Sequence, residues 1–236
     1  MAVIRKAGSL WLYDSVTGDI VGVVDPDGGE NIFVVTNTIW ADKPSAALNE
    51  GKIIRVTDIG GTAGSRWISD GTYWKPEGGS VVLGSSALGW SIAGTSAVET
   101  VLGSVLVPAG AMGVNGNLSI VASWSVTNSA NVKTMRTRFG NLDLTGDKFH
   151  ETTQTTTVSL RFWTEIHNRN DAASQVCGTA QSNSILAGGN PNALFTGTKN
   201  TLVNQYIVFT GLRDAASAAA SENLKLERYQ VELIVP

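Results

Sequence analysis

The residues best suited to catalysis or metal binding are few in this chain of 236 residues. It contains two histidines, His150 and His167, so any histidine-based triad or zinc site would have to use one or both. His150 has Asp147 and Glu151 close by in the sequence, and this trio could ligate a metal ion, but its spacing matches no established ligand motif. We therefore predict that both histidines are surface or loop residues, with no metal and no cofactor bound.

Carboxylates are the second source of chemistry. A glycoside hydrolase needs only two of them, roughly 5–10 Å apart. The candidates in this chain are Asp143, Asp147, Glu151 and Glu165. Nothing singles out a pair among them, and the sequence has no GxSxG elbow, HExxH motif, phosphate-binding loop or dinucleotide fingerprint. The sequence therefore predicts a protein that is not an enzyme, with a carbohydrate-active surface enzyme as an alternative.

Composition argues against several classes of protein. The net charge is −3 with no basic cluster, which argues against nucleic-acid binding. No apolar run approaches the ~20 residues of a membrane-spanning helix, so we expect no membrane partner. No stretch resembling a signal peptide follows Met1, so we expect synthesis in the cytoplasm. The single cysteine, Cys177, cannot form an intrachain disulfide and is predicted to be a small buried hydrophobic residue.

Strand patterns dominate the second half of the chain. Apolar and polar residues alternate in several segments, which is typical of strands with one buried face. The predicted buried residues are Leu118, Ile120, Ala122, Trp124, Val126, Val158, Leu160, Phe162, Ile166, Val203, Gln205, Ile207, Phe209, Tyr229, Val231, Leu233 and Val235. Leu224 and Leu226 have the opposite phase to the residues after them, so we predict a β-bulge near Glu227.

Several aromatic and cationic residues lie on the polar sides of these strands. Trp11, Tyr13 and Trp163 could face outward and stack on sugars, although such residues more often pack at interfaces between modules or subunits. Arg136 and Arg138 alternate with apolar residues. Their guanidinium groups are expected on the outer face of a strand or in a subunit interface, paired with carboxylates.

The strands and turns together predict an all-β protein with three regions. Residues 1–39 form short hairpins from the segments 9–14, 19–25 and 30–35. Residues 40–79 form a small β module, and residues 80–236 an antiparallel, jelly-roll-like β-sandwich. Alanine favours a helix at 214–222, but nine residues without an apolar stripe make a marginal one, so a loop or a single helical turn is equally expected there.

Two segments have patterns specific enough to compare with known proteins. The first reads GKIIRVTDIGGTAGSRWISDGTYWKPEGG at 51–79. It resembles a module that precedes receptor-facing domains in the fibre, spike and head-fibre proteins of tailed bacteriophages. Its matching residues are Arg55, Val56, Thr57, Asp58, Trp67, Ser69, Asp70, Gly71, Trp74 and Pro76. The second, at 99–140, is similar to a phage β-sandwich whose last strand fits the ending LKLERYQVELIVP.

This resemblance implies a homotrimer located in the virion. Residues 12–30 resemble short attachment segments, so the N-terminal region is expected to dock on other virion proteins of the tail, neck or capsid. The C-terminal sandwich would then be an exposed knob that binds host-surface glycans. A head, collar or capsid-decoration fibre without a primary receptor role is the alternative.

Overall fold

The computed structural model describes residues 2–6, 9–13, 20–24, 36–61, 64–179 and 194–236. The chain divides into two compact units, Met1–Gly79 and Ser80–Pro236. Nearly all of the regular structure is β, which confirms the predicted fold class. No helix within the described ranges combines the length and the apolar character needed to cross a bilayer.

The first unit contains two sheets. One is an antiparallel sheet of β1 (Ala2–Lys6), β2 (Ser9–Tyr13) and β3 (Ile20–Val24), with β2 in the centre. Strands β2 and β3 coincide with two of the predicted hairpin segments. A third segment predicted there, at 30–35, lies outside the described residues.

The second sheet of this unit has four strands, in the order β4, β5, β6, β7. They are β4 (Thr36–Thr38), β5 (Ile53–Val56), β6 (Ser65–Ser69) and β7 (Trp74–Pro76). Strands β4 and β5 are parallel and the other pairs are antiparallel. Two short 3₁₀ helices, Trp40–Asp42 and Ala46–Leu48, connect β4 to β5.

Three buried tryptophans form the small core of this sheet. The rings of Trp40 and Trp67 have centroids 4.5 Å apart. The indole nitrogens of Trp67 and Trp74 donate hydrogen bonds to Ser65 Oγ at 2.7 Å and Pro44 O at 2.8 Å. A buried indole N–H needs such an acceptor, so the tryptophans of the phage-like motif serve the fold.

The acidic residues of the same motif also have structural contacts. Asp58 Oδ1 accepts a hydrogen bond from the backbone N–H of Trp40 at 2.8 Å. Asp70 Oδ1 accepts from the backbone N–H groups of Thr72 and Tyr73, which closes the turn before β7. The motif therefore specifies turns and a core in the described structure.

The second unit is built from eleven strands and one short helix within the described residues. The strands are β8 (Ser80–Ser86), β9 (Trp90–Ser91), β10 (Thr100–Val107), β11 (Asn117–Val126), β12 (Lys133–Gly140), β13 (Asp147–Gln154), β14 (Ser159–Asn168), β15 (Gln175–Thr179), β16 (Leu194–Gly197), β17 (Gln205–Arg213) and β18 (Leu224–Ile234). The helix, α1 (Ala215–Ala219), begins after Asp214, whose side chain accepts a hydrogen bond from Ser217 N.

The strands of this unit form two antiparallel sheets. The wide sheet has the order β16, β15, β14, β11, β18, β8, with β9 also paired to β18, and the narrow sheet has the order β10, β17, β12, β13. When β9, β15 and β16 are set aside, eight strands remain, and each sheet holds four of them in jelly-roll order. Strands β15 and β16 extend the wide sheet. The first and last strands are neighbours, with Ser80 paired to Ile234.

The core lies between the two sheets and follows the predicted alternation. Every second residue of β11 is buried, from Leu118 to Val126. The predicted bulge in β18 is confirmed, because Ser123 pairs with Arg228 while the next residue of β11 pairs with Leu226, which leaves Glu227 unpaired.

Two predicted core residues are exposed instead. Val158 is 61% exposed and Val203 is 52% exposed. Both precede the first paired residue of their strand, since β14 begins at Ser159 and β17 at Gln205. The prediction was wrong because alternation continued in the sequence beyond the point where strand pairing starts.

The predicted surface position of His150 is also wrong. This residue lies within β13 and is 1% exposed. Thr137 pairs with His150 and Arg138 pairs with Lys148, so Phe149 is an extra residue in a β-bulge. A bulge can direct two consecutive side chains to the same face, and both Phe149 and His150 are buried.

Two buried cationic side chains bind loop residues at the end of the unit where β12 and β18 begin. Lys133 Nζ lies 2.8 Å from Glu222 Oε2 and donates to Thr127 O at 2.8 Å. Arg213 donates to the backbone oxygens of Glu222 at 2.8 Å and Gly94 at 2.7 Å. These cations thus tie the loops at this end to the strands.

Candidate functional site

The structure does not bring the His150 trio together. Asp147 Oδ1 lies 3.2 Å from Lys199 Nζ, and Glu151 pairs with Arg136, while His150 is buried between the sheets. Within the described ranges, no group of three or more histidine, cysteine or acidic side chains could hold a metal ion.

Two of the glycosidase candidates, Asp143 and Glu151, have lowered pKa values. Hydrogen bonds from Thr145 lower the pKa of Asp143. Partial burial acts to raise the pKa of Glu151, but hydrogen bonds from Arg136 and Lys148 lower it below its usual value. A general acid of a glycosidase needs the opposite shift. The lowered pKa values of these two carboxyl groups favour the ionised form.

Cys177 is buried, as predicted. Its thiol lies 3.3 Å from the backbone oxygen of Phe149, to which it donates. Burial raises the pKa of Cys177 to about 12, so the thiol is protonated and is a poor nucleophile at neutral pH.

The two arginines predicted to pair with carboxylates do so on the outer face of the narrow sheet. Glu99 accepts hydrogen bonds from Arg136 Nη1 at 2.8 Å, from Arg138 Nε and Nη2 at 3.0 Å, and from the hydroxyl of Thr210. Arg138 is the strand neighbour of Val208, which is fully buried. The charged side chains therefore cover this part of the sheet, and sequence analysis missed the role of Glu99.

The outer face of the wide sheet carries an exposed tryptophan, Trp163. Its side chain is 54% exposed on β14, and Nε1 donates to Ser119 Oγ on β11 at 3.0 Å. That hydrogen bond fixes one edge of the indole. The outward position expected for this residue is confirmed, and it is common to a sugar-stacking surface and a subunit interface. The side chains of Trp11 and Tyr13, considered with it, lie outside the described part of the structure.

Three rows of cross-strand neighbours surround the indole on β14, β11 and β18. They are Arg161, Ser123 and Arg228; Trp163, Val121 and Gln230; and Glu165, Ser119 and Glu232. We call these nine residues the Trp163 face. Seven of them have polar side chains, so the exposed ring lies among hydrogen-bond donors and acceptors. An aromatic ring set among polar groups can stack on a sugar ring and bind its hydroxyl groups.

Positive and negative side chains of the Trp163 face lie in different rows, on opposite sides of the indole. Arg161 and Arg228 share the row on one side of the indole, and both are exposed. On the other side, Glu165 Oε2 lies 3.5 Å from His167 Nε2, and Glu232 accepts a hydrogen bond from Ser80 at 2.6 Å. His167 is a surface residue, as predicted, with a side chain 43% exposed.

The comparisons with known proteins give weak likenesses. No family model and no curated protein matches the sequence. Among solved structures, the CBM2 module of the evolved Dit of Lactobacillus casei BL23 phage J-1 is 13% identical, with 62% of this chain and 76% of that chain covered and a TM-score of 0.33.

Two structures from infectious bursal disease virus are also similar over part of their length. The Gx strain structure is 10% identical, with 66% of this chain and 40% of that chain covered and a TM-score of 0.22. The VP2 subviral particle is 12% identical, with 66% and 41% covered and a TM-score of 0.23. This chain thus spans about two fifths of those viral chains. TM-scores this low establish no shared family and no shared ligand.

Proposed function

We propose that the chain is a structural protein of a bacteriophage virion and that its jelly roll binds host-surface glycans through the Trp163 face. The observation that carries the glycan assignment is the exposed indole of Trp163, held at one edge by Ser119 and bordered by polar rows. Aromatic rings in such settings are suited to stacking on sugars, since one face stays apolar while the surroundings bind hydroxyl groups.

The virion assignment rests on two features of the chain. The motif at 51–79 resembles a phage module, and its tryptophans and aspartates form the core and turns of one sheet. The jelly-roll strand order of the second unit is an architecture that serves viral capsid and lectin domains. These features support a particle protein that carries a sugar-binding module.

The assembly we propose is a homotrimer attached to other virion proteins through residues 1–39. The sheet of β1, β2 and β3 has strands of only five residues, too short to build a core of their own, so we expect this segment to gain stability by packing on a partner. The second unit has its own core and needs no such partner. Deleting residues 1–39 should therefore leave a folded oligomer that is missing from purified particles, as judged by immunogold microscopy. Normal occupancy of the truncated chain would place the anchor elsewhere.

The binding experiment compares the full chain with Trp163→Ala on an array of bacterial surface polysaccharides. We expect at least a tenfold loss of affinity, because the stacking surface is removed. Leu142→Ala is the matched control, since Leu142 is 51% exposed outside the Trp163 face. Its binding should equal that of the unaltered chain.

Two results of the array experiment would contradict the proposal. One is Trp163→Ala binding as well as the unaltered chain, and the other is an unaltered chain that binds no polysaccharide. Release of new reducing ends from a bound polysaccharide would instead support the enzyme alternative. A head or collar fibre without receptor function would show no binding while still appearing on particles.

A further inference from the structure

We infer that the glycan recognised by the Trp163 face is anionic, and that its carboxylate or phosphate group lies between Arg161 and Arg228. This inference rests on the proposed function and specifies the ligand class of the same site. It follows from the placement of the two arginines, from their lack of ion-pair partners, and from the acidic row on the opposite side of the indole.

The two arginines face the same point of the sheet from either side. Ser123 of β11 pairs with Arg161 of β14 and with Arg228 of β18. Neighbouring strands are about 4.8 Å apart, so the two arginine backbones are separated by about 10 Å. Two long guanidinium side chains at this separation can contact one anionic group from both sides, with the Ser123 hydroxyl between them.

Neither of these arginines has an ion-pair partner among the described residues, although other arginines do. Arg136 and Arg138 pair with Glu99, and Arg66 pairs with Glu77 at 2.9 Å. Glu227 precedes Arg228 in the sequence but is engaged elsewhere. Its carboxylate pairs with Lys225 at 2.7 Å and accepts a hydrogen bond from Ser125 at 2.6 Å.

Guanidinium groups bind carboxylates and phosphates through two parallel hydrogen bonds. Two exposed guanidinium groups without partners therefore make this row of the Trp163 face complementary to an anion.

The rest of the Trp163 face orients such a ligand. Trp163 is two residues from Arg161 along β14, about 7 Å away, so a sugar ring on the indole can place an acidic substituent over the arginine row. Glu165 and Glu232, on the other side of the indole, accept hydrogen bonds from hydroxyl groups and repel anions. An anionic sugar is therefore favoured in one orientation only.

The test measures binding of the full chain by titration calorimetry. The probes are an oligogalacturonate, a neutral oligogalactan of equal length, and a glycerol-phosphate oligomer. We expect an acidic probe to bind at least tenfold more tightly than the neutral one, with an affinity that falls as salt is added. The acidic probe that binds more tightly identifies carboxylate or phosphate as the preferred group.

The variants are Arg161→Gln and Arg228→Gln, with Arg169→Gln as the matched control. Arg169 is exposed in the loop after β14, outside the Trp163 face. Each of the first two substitutions should weaken acidic-probe binding about tenfold and neutral-probe binding far less, because the charge-assisted hydrogen bonds to the anion are removed. The control should bind as the unaltered chain does.

The outcomes separate this inference from the proposed function. Equal binding of acidic and neutral probes, with both arginine variants unaffected and Trp163→Ala defective, would overturn the anionic ligand and keep the glycan site. No effect of Trp163→Ala on any probe would overturn both. Displacement of the acidic probe by a single-stranded oligonucleotide at lower concentration would assign the face to nucleic acid and also overturn the inference.

Discussion

Lys133 Nζ and Glu222 Oε2 are 2.8 Å apart, and both side chains are buried at the end of the jelly roll where β12 and β18 begin. The hydrogen bond from Lys133, helped by those from Ser129 and Asn131, lowers the pKa of Glu222 to about 2. The pair joins the start of β12 in the narrow sheet to the segment that leads into β18 of the wide sheet. Its charge state therefore couples pH to the stability of the second unit.

The first prediction concerns acid unfolding. The pKa of Glu222 is about 2 in the folded chain against an ordinary 4.5, so its stabilising effect is complete above pH 4.5 and is lost as the pH falls towards 2. Glu222→Gln should flatten the fall in the free energy of unfolding across this range, measured by urea titrations at several pH values. Glu232→Gln is the control, and an unchanged slope in Glu222→Gln would contradict the prediction.

The second prediction concerns His150. Burial lowers the pKa of His150 to about 4 from an ordinary 6.5. Between pH 4 and pH 6.5, His150 is therefore protonated in the unfolded chain and neutral in the folded chain. The free energy of unfolding should fall as the pH drops from 6.5 to 4, by at most about 1.4 kcal/mol per pH unit. His150→Phe should reduce this slope and His167→Gln should retain it, by chemical denaturation. Equal slopes in both variants would exclude His150 as the cause.

The third prediction tests the charged cover of the narrow sheet. Glu99→Ala should lower the free energy of unfolding by about 1–3 kcal/mol, because two arginines lose their shared acceptor. Lys148→Ala should change it by less than about 1 kcal/mol, since its pair with Glu151 is exposed. Thermal denaturation of both variants measures the difference, and equal effects would show that the Glu99 contacts contribute little.

The fourth prediction tests the assignment of core and surface. Phe209→Ala should lower the free energy of unfolding by about 3–5 kcal/mol because the ring is fully buried. Val158→Ala should change it by no more than about 0.5 kcal/mol, since Val158 is largely exposed. Urea denaturation of the two variants provides the comparison. A large effect at Val158 would mean that it is buried in the assembled protein.

The fifth prediction concerns assembly. The full chain should have a solution mass three times its 24.8 kDa, because exposed apolar residues such as Leu88, Val98 and Leu202 favour burial between subunits. Light scattering at micromolar concentration measures this mass, and a monomeric value would contradict the trimer.

Alternation of apolar and polar residues was sufficient to predict the long strands of the second unit. The buried faces of β11 and β14 follow it, and the phase change between Leu226 and Tyr229 located the bulge at Glu227. In β13 the same logic failed, because the bulge at Phe149 leaves no phase change that the sequence reveals. His150 was therefore placed on the surface, although it packs against Phe162 with ring centroids 4.4 Å apart.

The candidate site was only partly predictable. Trp163 could be recognised as an outward residue from its position opposite Phe162 in the alternation. The sequence did not predict that Gln230 and Arg228 lie near Trp163. They belong to a strand far along the chain, and the register of β11 against β18 determines where they lie. The role of Glu99 was hidden for the same reason, since its partners Arg136 and Arg138 lie on a strand separated from β10 by β17.

The pairing of Ser80 with Ile234 has a consequence for protein engineering. Both ends of the jelly roll leave the wide sheet side by side on adjacent strands. A module with neighbouring ends can be inserted into a surface loop of an unrelated scaffold without separating the ends of that loop, and its termini can be joined and reopened elsewhere. The second unit is therefore suited to insertion into other proteins as a separate domain.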